Sequence, residues 1–80
     1  MSRQEVYDKV VNIIAEQLKL NKDQISENST LESLGADSLD RFEFIMKLEE
    51  TFGIAISDDD AENISNVGQA VDYVEKLVNK

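Results

Sequence analysis

The amino-acid sequence predicts an all-α fold, a small bundle of three longer helices and one short helix in a single domain over residues 1–80. Apolar residues recur at helical spacing in three separate segments. The alternating segment Ile54-Ala55-Ile56 is only three residues long and has no partner strand, so we expect an extended connector there. With 80 residues, of which 41% are hydrophobic, the chain can form one small core near the lower limit for a domain that folds alone.

The first helix, α1, is predicted to begin at Ser2, because Ser2 and Glu5 have the spacing of a capping box. Its apolar stripe consists of Val6, Val10, Ile13, Ile14 and Leu18. The polar segment 21–36 follows, and we expect an ordered loop that isolated apolar residues hold to the core, with one helical turn at 21–25.

The second helix, α2, is predicted from Ser38 to about Phe52, with Asp37 as N-cap and Gly53 as a left-handed residue at its end. Two faces follow from a rotation of about 100° per residue. The inward face holds Phe42, Ile45, Leu48 and Phe52. The opposite face is a charged stripe of Asp40, Glu43, Lys47 and Glu50, bordered by Leu39 and Met46.

Two further caps predict the remaining helices. Ser57 would cap a short helix, α3, whose first turn holds the acids Asp58, Asp59 and Asp60. Asn66 would cap α4, whose apolar face consists of Val67, Ala70, Val71, Val74, Leu77 and Val78. Gly68 allows a close approach near that cap.

Composition excludes several classes of function. The net charge of −9 argues against nucleic acid and against an anionic membrane surface, and it favours a basic partner. The chain has no cysteine and no histidine, which excludes disulfides, Cys/His zinc sites and the usual serine or cysteine nucleophile pairs. The run 58–60 lacks the spacing of a calcium loop, so we expect no metal site. Without a signal peptide or long apolar run, the expected location is cytoplasmic.

Ser38 is the candidate functional residue. Gly35 permits a sharp turn before the Asp37 cap, and Ser38 then lies on the first turn of α2, where free backbone N–H groups and the helix dipole favour an attached anion. A phosphate ester on Ser38 would suit this position. Because the chain offers no general base of the usual kind, Ser38 is expected to be modified by another enzyme and not to act as a catalyst.

The segment Gly35-Ala36-Asp37-Ser38-Leu39-Asp40 resembles the prosthetic-group attachment motif of acyl carrier proteins. The resemblance extends through the segments 48–54 and 56–62 and covers essentially the whole chain. It implies that Ser38, flanked by Asp37 and Leu39, carries 4′-phosphopantetheine derived from coenzyme A. The chain would then be a monomeric carrier and not an enzyme, and it would deliver acyl thioesters to the enzymes of fatty acid biosynthesis.

The resemblance also implies a pocket and a docking surface. We expect the acyl chain to enter between α2, α3 and α4, in a pocket lined by Phe42, Ile45, Leu48, Ile56, Ile64 and Val71. Arg41 is expected at the mouth of this pocket, with its head group reaching into solvent. The partner-binding residues implied are Asp37, Asp40, Glu43, Met46, Glu49 and Glu50. The partners implied are a phosphopantetheinyl transferase, acyl transferases, ketosynthases and other acyl-processing enzymes with basic patches.

Two alternatives remain at the level of sequence. Within the carrier family, the chain could serve a polyketide, lipid-modification or other specialised pathway, since Arg41, Phe42, Phe44 and the shortened loop before Leu34 depart from the usual pattern. From another class, it could be an acidic interaction module without a prosthetic group, although that leaves the capped Ser38 unexplained. A serine hydrolase is poorly supported, because the Gly-x-Ser-x-Gly elbow is missing.

Overall fold

Helices account for the regular structure of the chain, and the all-α prediction is confirmed. The computed structural model describes residues 1–79. Its helices are α1 (Arg3–Leu18), α2 (Ser38–Phe52), α3 (Asp58–Glu62) and α4 (Val67–Val78), with a 3₁₀ turn at Lys22–Gln24. Within these residues the β pairing is one isolated bridge between Thr30 and Asn66, so Ile54–Ile56 is a connector as expected.

All four helices begin at the predicted caps. The side chains of Ser2, Asp37, Ser57 and Asn66 each accept a hydrogen bond from the backbone N–H three residues later. Each such bond satisfies one of the backbone donors that a helix start leaves free. Gly53 ends α2 with a φ of 65°, a left-handed conformation that glycine adopts without a steric penalty.

The core lies mainly between α1 and α4, with the inner face of α2 packed against both. Its fully buried side chains include Val6, Val10 and Ile14 of α1 and Val71 and Val74 of α4. Leu48 is the α2 residue buried most completely. These aliphatic side chains pack without an unpaired buried polar side-chain atom in the described part of the chain.

The loop between α1 and α2 is ordered by its own hydrogen bonds and by two buried side chains. Ile25 and Leu31 are buried, while Leu20 and Leu34 are half-buried against the core, as the sequence predicts. The N–H of Gly68 donates to Glu27 O at 2.9 Å, and a Cβ at residue 68 would lie 3.2 Å from the same oxygen. Glycine therefore permits the close approach of loop and helix at this point.

One basic residue joins three segments on the surface. The guanidinium of Arg3 donates to the carboxylates of Asp72 and Glu27, and its Nη1 lies 3.6 Å from Glu75 Oε1. The hydrogen bonds with Asp72 and Glu27 raise the pKa of Arg3 above its ordinary value. The start of α1 is thus linked to the loop and to the last turns of α4.

Candidate functional site

Ser38 lies exposed at the first residue of α2, and its surroundings are set by local contacts. Asp37 Oδ1 accepts from the N–H of Asp40 at 2.8 Å, and Asp40 Oδ2 accepts from the N–H of Asp37 at 3.2 Å. Gly35 turns the incoming chain with a φ of 92°. This reciprocal cap orients the first turn of α2 and leaves the Ser38 hydroxyl facing outward.

Within residues 1–79, Ser38 Oγ has no hydrogen-bond partner that would act as a base. The same residues contain no group of three or more acidic side chains arranged to hold a metal ion. An exposed hydroxyl beside free backbone N–H groups is a suitable acceptor for a phosphodiester, because these groups stabilise the anion that attachment creates.

A groove of about 390 Å³ opens beside Ser38, between α2 and α3. Its apolar surface comes from Phe42, Ile45, Met46, Ile56 and Ala61. Its rim is polar and consists of Ser38, Arg41, Glu49, Asp58 and Glu62. A second cleft, of about 420 Å³, lies on the other side of Ser38 against the α1–α2 loop. Ser38 and Arg41 line both, so an arm on Ser38 would have an opening on either side.

The structure divides the predicted acyl pocket into a groove and a core. Ile45 and Ile56 line the groove. Three further residues of the predicted set are almost completely inaccessible and lie in the core: Leu48, Ile64 and Val71.

The prediction that Phe42 faces inward is wrong. Phe42 is 62% exposed at the edge of the groove, whereas Phe44 is 2% exposed in the core. In a helical projection of α2, Phe42 lies about 90° from the mean direction of Ile45, Leu48 and Phe52. Phe44 lies about 70° from that direction, on the opposite side. The helical projection hardly separates them. Phe44 is buried because its side of α2 faces α1, with Ile14 and Leu18 beside it.

Arg41 also departs from its prediction. Its Nη2 donates to Ala61 O at 2.8 Å and to Glu62 O at 2.9 Å, so the head group is bound to the end of α3 and does not extend freely into solvent. The last carbonyls of a helix carry the negative end of the helix dipole and attract a cation. Sequence analysis missed this contact, because α3 is 20 residues away and only the folded chain brings its end to Arg41.

Some side chains on the charged face of α2 are exposed to solvent, and others are half-buried. Asp37, Glu43 and Glu50 are exposed, and Leu39 and Met46 present 63% and 49% of their surface. Asp40 and Glu49 are half-buried. Glu49 Oε2 accepts from the N–H of Ile56 at 2.9 Å, so this carboxylate holds the connector to α2 in addition to facing the groove.

Tyr73 provides a contact that the sequence did not indicate. Its hydroxyl donates to Asp60 Oδ2 at 2.7 Å and joins α4 to α3. This hydrogen bond, with a smaller contribution from burial, raises the pKa of Tyr73 above its ordinary value. The short helix α3 is therefore bound on one side to α2 and on the other to α4.

The chain is similar to known proteins over nearly its whole length. The family model described as phosphopantetheine attachment site matches residues 8–74. The chain belongs to the acyl carrier protein family. It is 48% identical over 79 residues to an acyl carrier protein of Guillardia theta, with 98% of each chain covered. It is 45% identical over 75 residues to one of Lactobacillus acidophilus, with 92% of this chain and 94% of the relative covered.

A solved structure of the acyl carrier protein from Enterococcus faecalis has the same fold, with a TM-score of 0.80 and 43% identity. It covers 95% of this chain and 98% of its own. The chain is thus a carrier protein and not an enzyme, its prosthetic group is 4′-phosphopantetheine, and it interacts with acyl-processing enzymes. A role in fatty acid biosynthesis fits this family. None of the described helices is long and apolar enough to cross a membrane.

Proposed function

We propose that Ser38 carries the 4′-phosphopantetheine arm and that the carrier delivers acyl thioesters to the enzymes of fatty acid biosynthesis. The observation that carries this proposal is the exposed Ser38 hydroxyl on the capped first turn of α2, with a groove beside it. Asp37 and Leu39 flank it, Asp37 as the cap and Leu39 as an exposed side chain that a transferase can contact.

Attachment requires one displacement at phosphorus. Ser38 Oγ attacks the phosphorus that bears the pantetheine in coenzyme A, the new O–P bond replaces the bond to the nucleotide, and the hydroxyl proton leaves. A transferase with magnesium supplies the base and stabilises the leaving nucleotide, because the carrier has no histidine. The N–H groups of the first turn of α2 stabilise the resulting phosphodiester.

The groove between α2 and α3 is our candidate site for the acyl chain. Phe42, Ile45 and Ile56 present apolar surface there, with Leu48, Ile64 and Val71 in the core behind. Each methylene removed from water contributes about 0.8 kcal/mol, so even partial burial protects a poorly soluble chain.

The charged face of α2, together with its cap Asp37, is our candidate docking surface for basic partner enzymes: transferases, ketosynthases and related acyl-processing enzymes. It comprises Asp37, Asp40, Glu43, Met46, Glu49 and Glu50, with Leu39 adding apolar area. A carrier must visit many enzymes briefly, and charge complementarity accelerates association more than it strengthens binding. We place these encounters in the cytoplasm, and fractionation of cells that express the natural chain tests that location.

Loading tests the attachment site. The apo chain is incubated with coenzyme A, magnesium and a broad-specificity phosphopantetheinyl transferase, and the adduct is located by peptide mass spectrometry. We expect the mass of one phosphopantetheine on the peptide with Ser38 and none in Ser38→Ala. An unchanged mass, or an adduct that persists in the variant, would contradict the proposal.

A charge reversal tests the docking surface. Glu43→Lys should slow acyl loading by a fatty acid synthesis enzyme about tenfold at low salt, mainly through the association rate, with the defect shrinking at high salt. Asp8→Lys is the matched control. Gln17 of α1 contacts the start of α2 by donating to Asp40 O. Asp8 lies nine residues before Gln17, or about 13 Å along α1, and is therefore distant from that contact.

Equal losses of loading rate in the two variants would mean that net charge alone matters. Glu16, also on α1, is unsuitable as the control, because it lines the same cleft as Glu43.

The same loading assay tests the pathway. If enzymes of fatty acid synthesis fail to load the wild-type holo-carrier while a polyketide enzyme succeeds, the pathway assignment is wrong and the attachment site stands.

A further inference from the structure

Arg41 lies at the boundary between the two openings that flank Ser38. It is one turn after Ser38 on α2, it is half-buried, and it lines both the α2–α3 groove and the second cleft. Its Nη2 bridges to the final carbonyls of α3, Ala61 O and Glu62 O, at 2.8 and 2.9 Å. The side chain therefore crosses from the start of α2 to the end of α3 at the rim of the groove.

The attachment of α3 depends heavily on such polar contacts. None of its five side chains is buried. The buried residues nearest to it, Ile56 and Ile64, belong to the segments on either side. Ala61 packs half-buried against the core. The polar contacts of α3 are Tyr73 with Asp60 on the α4 side and Arg41 with the two carbonyls on the groove side. An element with few buried apolar contacts opens at low cost, so Arg41 controls a large part of that cost.

The groove as it stands reaches only the surface of the core. Its apolar floor is Ile45 and Ile56, and the side chains behind, Leu48 and Ile64, are almost fully inaccessible. Within this groove, a long acyl chain can reach the core side chains behind the floor only if α3 separates from α2. That movement takes the Arg41 donors away from Ala61 O and Glu62 O and breaks two charge-assisted hydrogen bonds, one of them half-buried. Ala61 O keeps its hydrogen bond from the N–H of Ile64, so the cost is the loss of the contacts to the guanidinium.

We infer that Arg41 is a specificity-determining residue: by tethering α3 to the first turn of α2, it limits the length of acyl chain that the groove accepts. This inference rests on the proposed attachment of the arm at Ser38. A short chain fits the groove with the tether intact. A long chain either breaks the hydrogen bonds of Arg41 to α3, at a cost in free energy, or leaves its end exposed to water.

The first experiment uses the apo chain and needs no arm. Amide hydrogen exchange is measured in wild type, Arg41→Ala and Arg41→Lys. The reporter amides are those of Ala61, Asn63 and Ile64, which donate to Ser57 O, Asp60 O and Ala61 O within and just after α3. We expect about tenfold faster exchange there in Arg41→Ala, a smaller increase in Arg41→Lys, and unchanged exchange in α1. Unchanged exchange at these amides in Arg41→Ala would overturn the tether.

The second experiment measures chain-length dependence. Holo wild type, Arg41→Ala and Tyr73→Phe are loaded with butanoyl, octanoyl and dodecanoyl groups, and the melting temperature of each is compared with its own holo form. In wild type the gain should level off after the short chain. In Arg41→Ala it should continue to rise through the longer chains, because α3 is free to move.

Tyr73→Phe loosens α3 from α4 and leaves Arg41 in the groove, so its profile should match that of wild type. If it matches Arg41→Ala instead, general mobility of α3 sets the limit and the assignment to Arg41 is wrong. Identical profiles in Arg41→Ala and wild type would overturn the inference as well. None of these results bears on attachment at Ser38, which fails only if the arm cannot be loaded at all.

Discussion

The two sides of this small bundle are held together in different ways. On one side, α1 and α4 share a continuous layer of buried valine and isoleucine side chains, and Arg3 adds surface contacts across it. On the other side, α3 fully buries none of its own side chains. It is attached through the half-buried Ala61, the polar contacts of Arg41 and Tyr73, and the flanking connector. Ser38 and its groove lie on this second side. The comparison indicates that stability comes from α1 and α4, while the side that would receive cargo is left easy to open.

Charge follows the same division. Residues 37–62 hold nine acidic and two basic residues out of a chain total of 17 and eight. The side that contains Ser38 therefore carries most of the negative charge, which attracts basic partners and also repels itself. Four experiments would break or sharpen this contrast.

Truncation of a buried isoleucine should have the largest effect. Ile14→Ala, in the layer between α1 and α4, should lower the free energy of unfolding by about 2–5 kcal/mol, because it leaves a cavity in a packed core. Ile54→Ala, at a half-buried position in the connector, should cost about 1 kcal/mol or less. Urea denaturation measures both. Similar losses would show that stability is spread evenly over the bundle and that the contrast is wrong.

Added salt should have the next largest effect. Screening the repulsion among the acids should raise the melting temperature of the apo chain by about 4–8 °C, the shift that 1 kcal/mol produces in a domain of this size. Hydrogen exchange should slow more in α3 than in α1, since the excess acids lie in residues 37–62. A melting temperature that is constant across ionic strength would mean that the charges are already well dispersed.

The tyrosine at the α3–α4 contact should have a moderate and pH-dependent effect. The raised pKa of Tyr73 means that, as pH rises above the ordinary value of 10.0, the unfolded chain loses this proton before the folded chain does. Stability from the hydrogen bond is thus fully present below pH 10.0 and is lost as pH rises through the raised pKa.

Tyr73→Phe should lower the free energy of unfolding by about 1 kcal/mol at neutral pH. The variant should also lack the part of the alkaline fall in stability that comes from ionisation of Tyr73. Thermal melts of both proteins across the alkaline range test it, and Tyr7→Phe is the control for the other tyrosine. Parallel alkaline losses in Tyr73→Phe and wild type would show that the contact with Asp60 does not stabilise α3.

The surface contacts of Arg3 should contribute least. Arg3→Gln removes the contacts with Glu27, Asp72 and Glu75, but its partners are exposed or nearly so and the apolar layer beneath remains. We expect a small fall in melting temperature that disappears at high salt, with Lys9→Gln as the control for the loss of one positive charge. A loss as large as that of Ile14→Ala would mean that α1 and α4 depend on polar contacts after all.

Local features of the chain were predictable because their causes are local. The four caps each require a side-chain acceptor within three residues of its donor, and Gly53 is needed for a left-handed residue, so the start and end of α2 follow directly from the residues present. The exposure of Ser38 on the first turn follows from the same cap. The attachment motif around it was recognised separately, through the resemblance of residues 35–40 to that of acyl carrier proteins.

The sequence by itself therefore determined the helices, their caps, the candidate serine and the excess of negative charge. Only the tertiary structure decided that Phe44 and not Phe42 enters the core, because two aromatic rings at nearly equal angles can be separated only by the position of α1. It also decided that Glu49 holds the connector and that Arg41 and Tyr73 bind α3. These contacts join residues 7 to 21 positions apart, and a helical projection contains no information about what lies opposite each face.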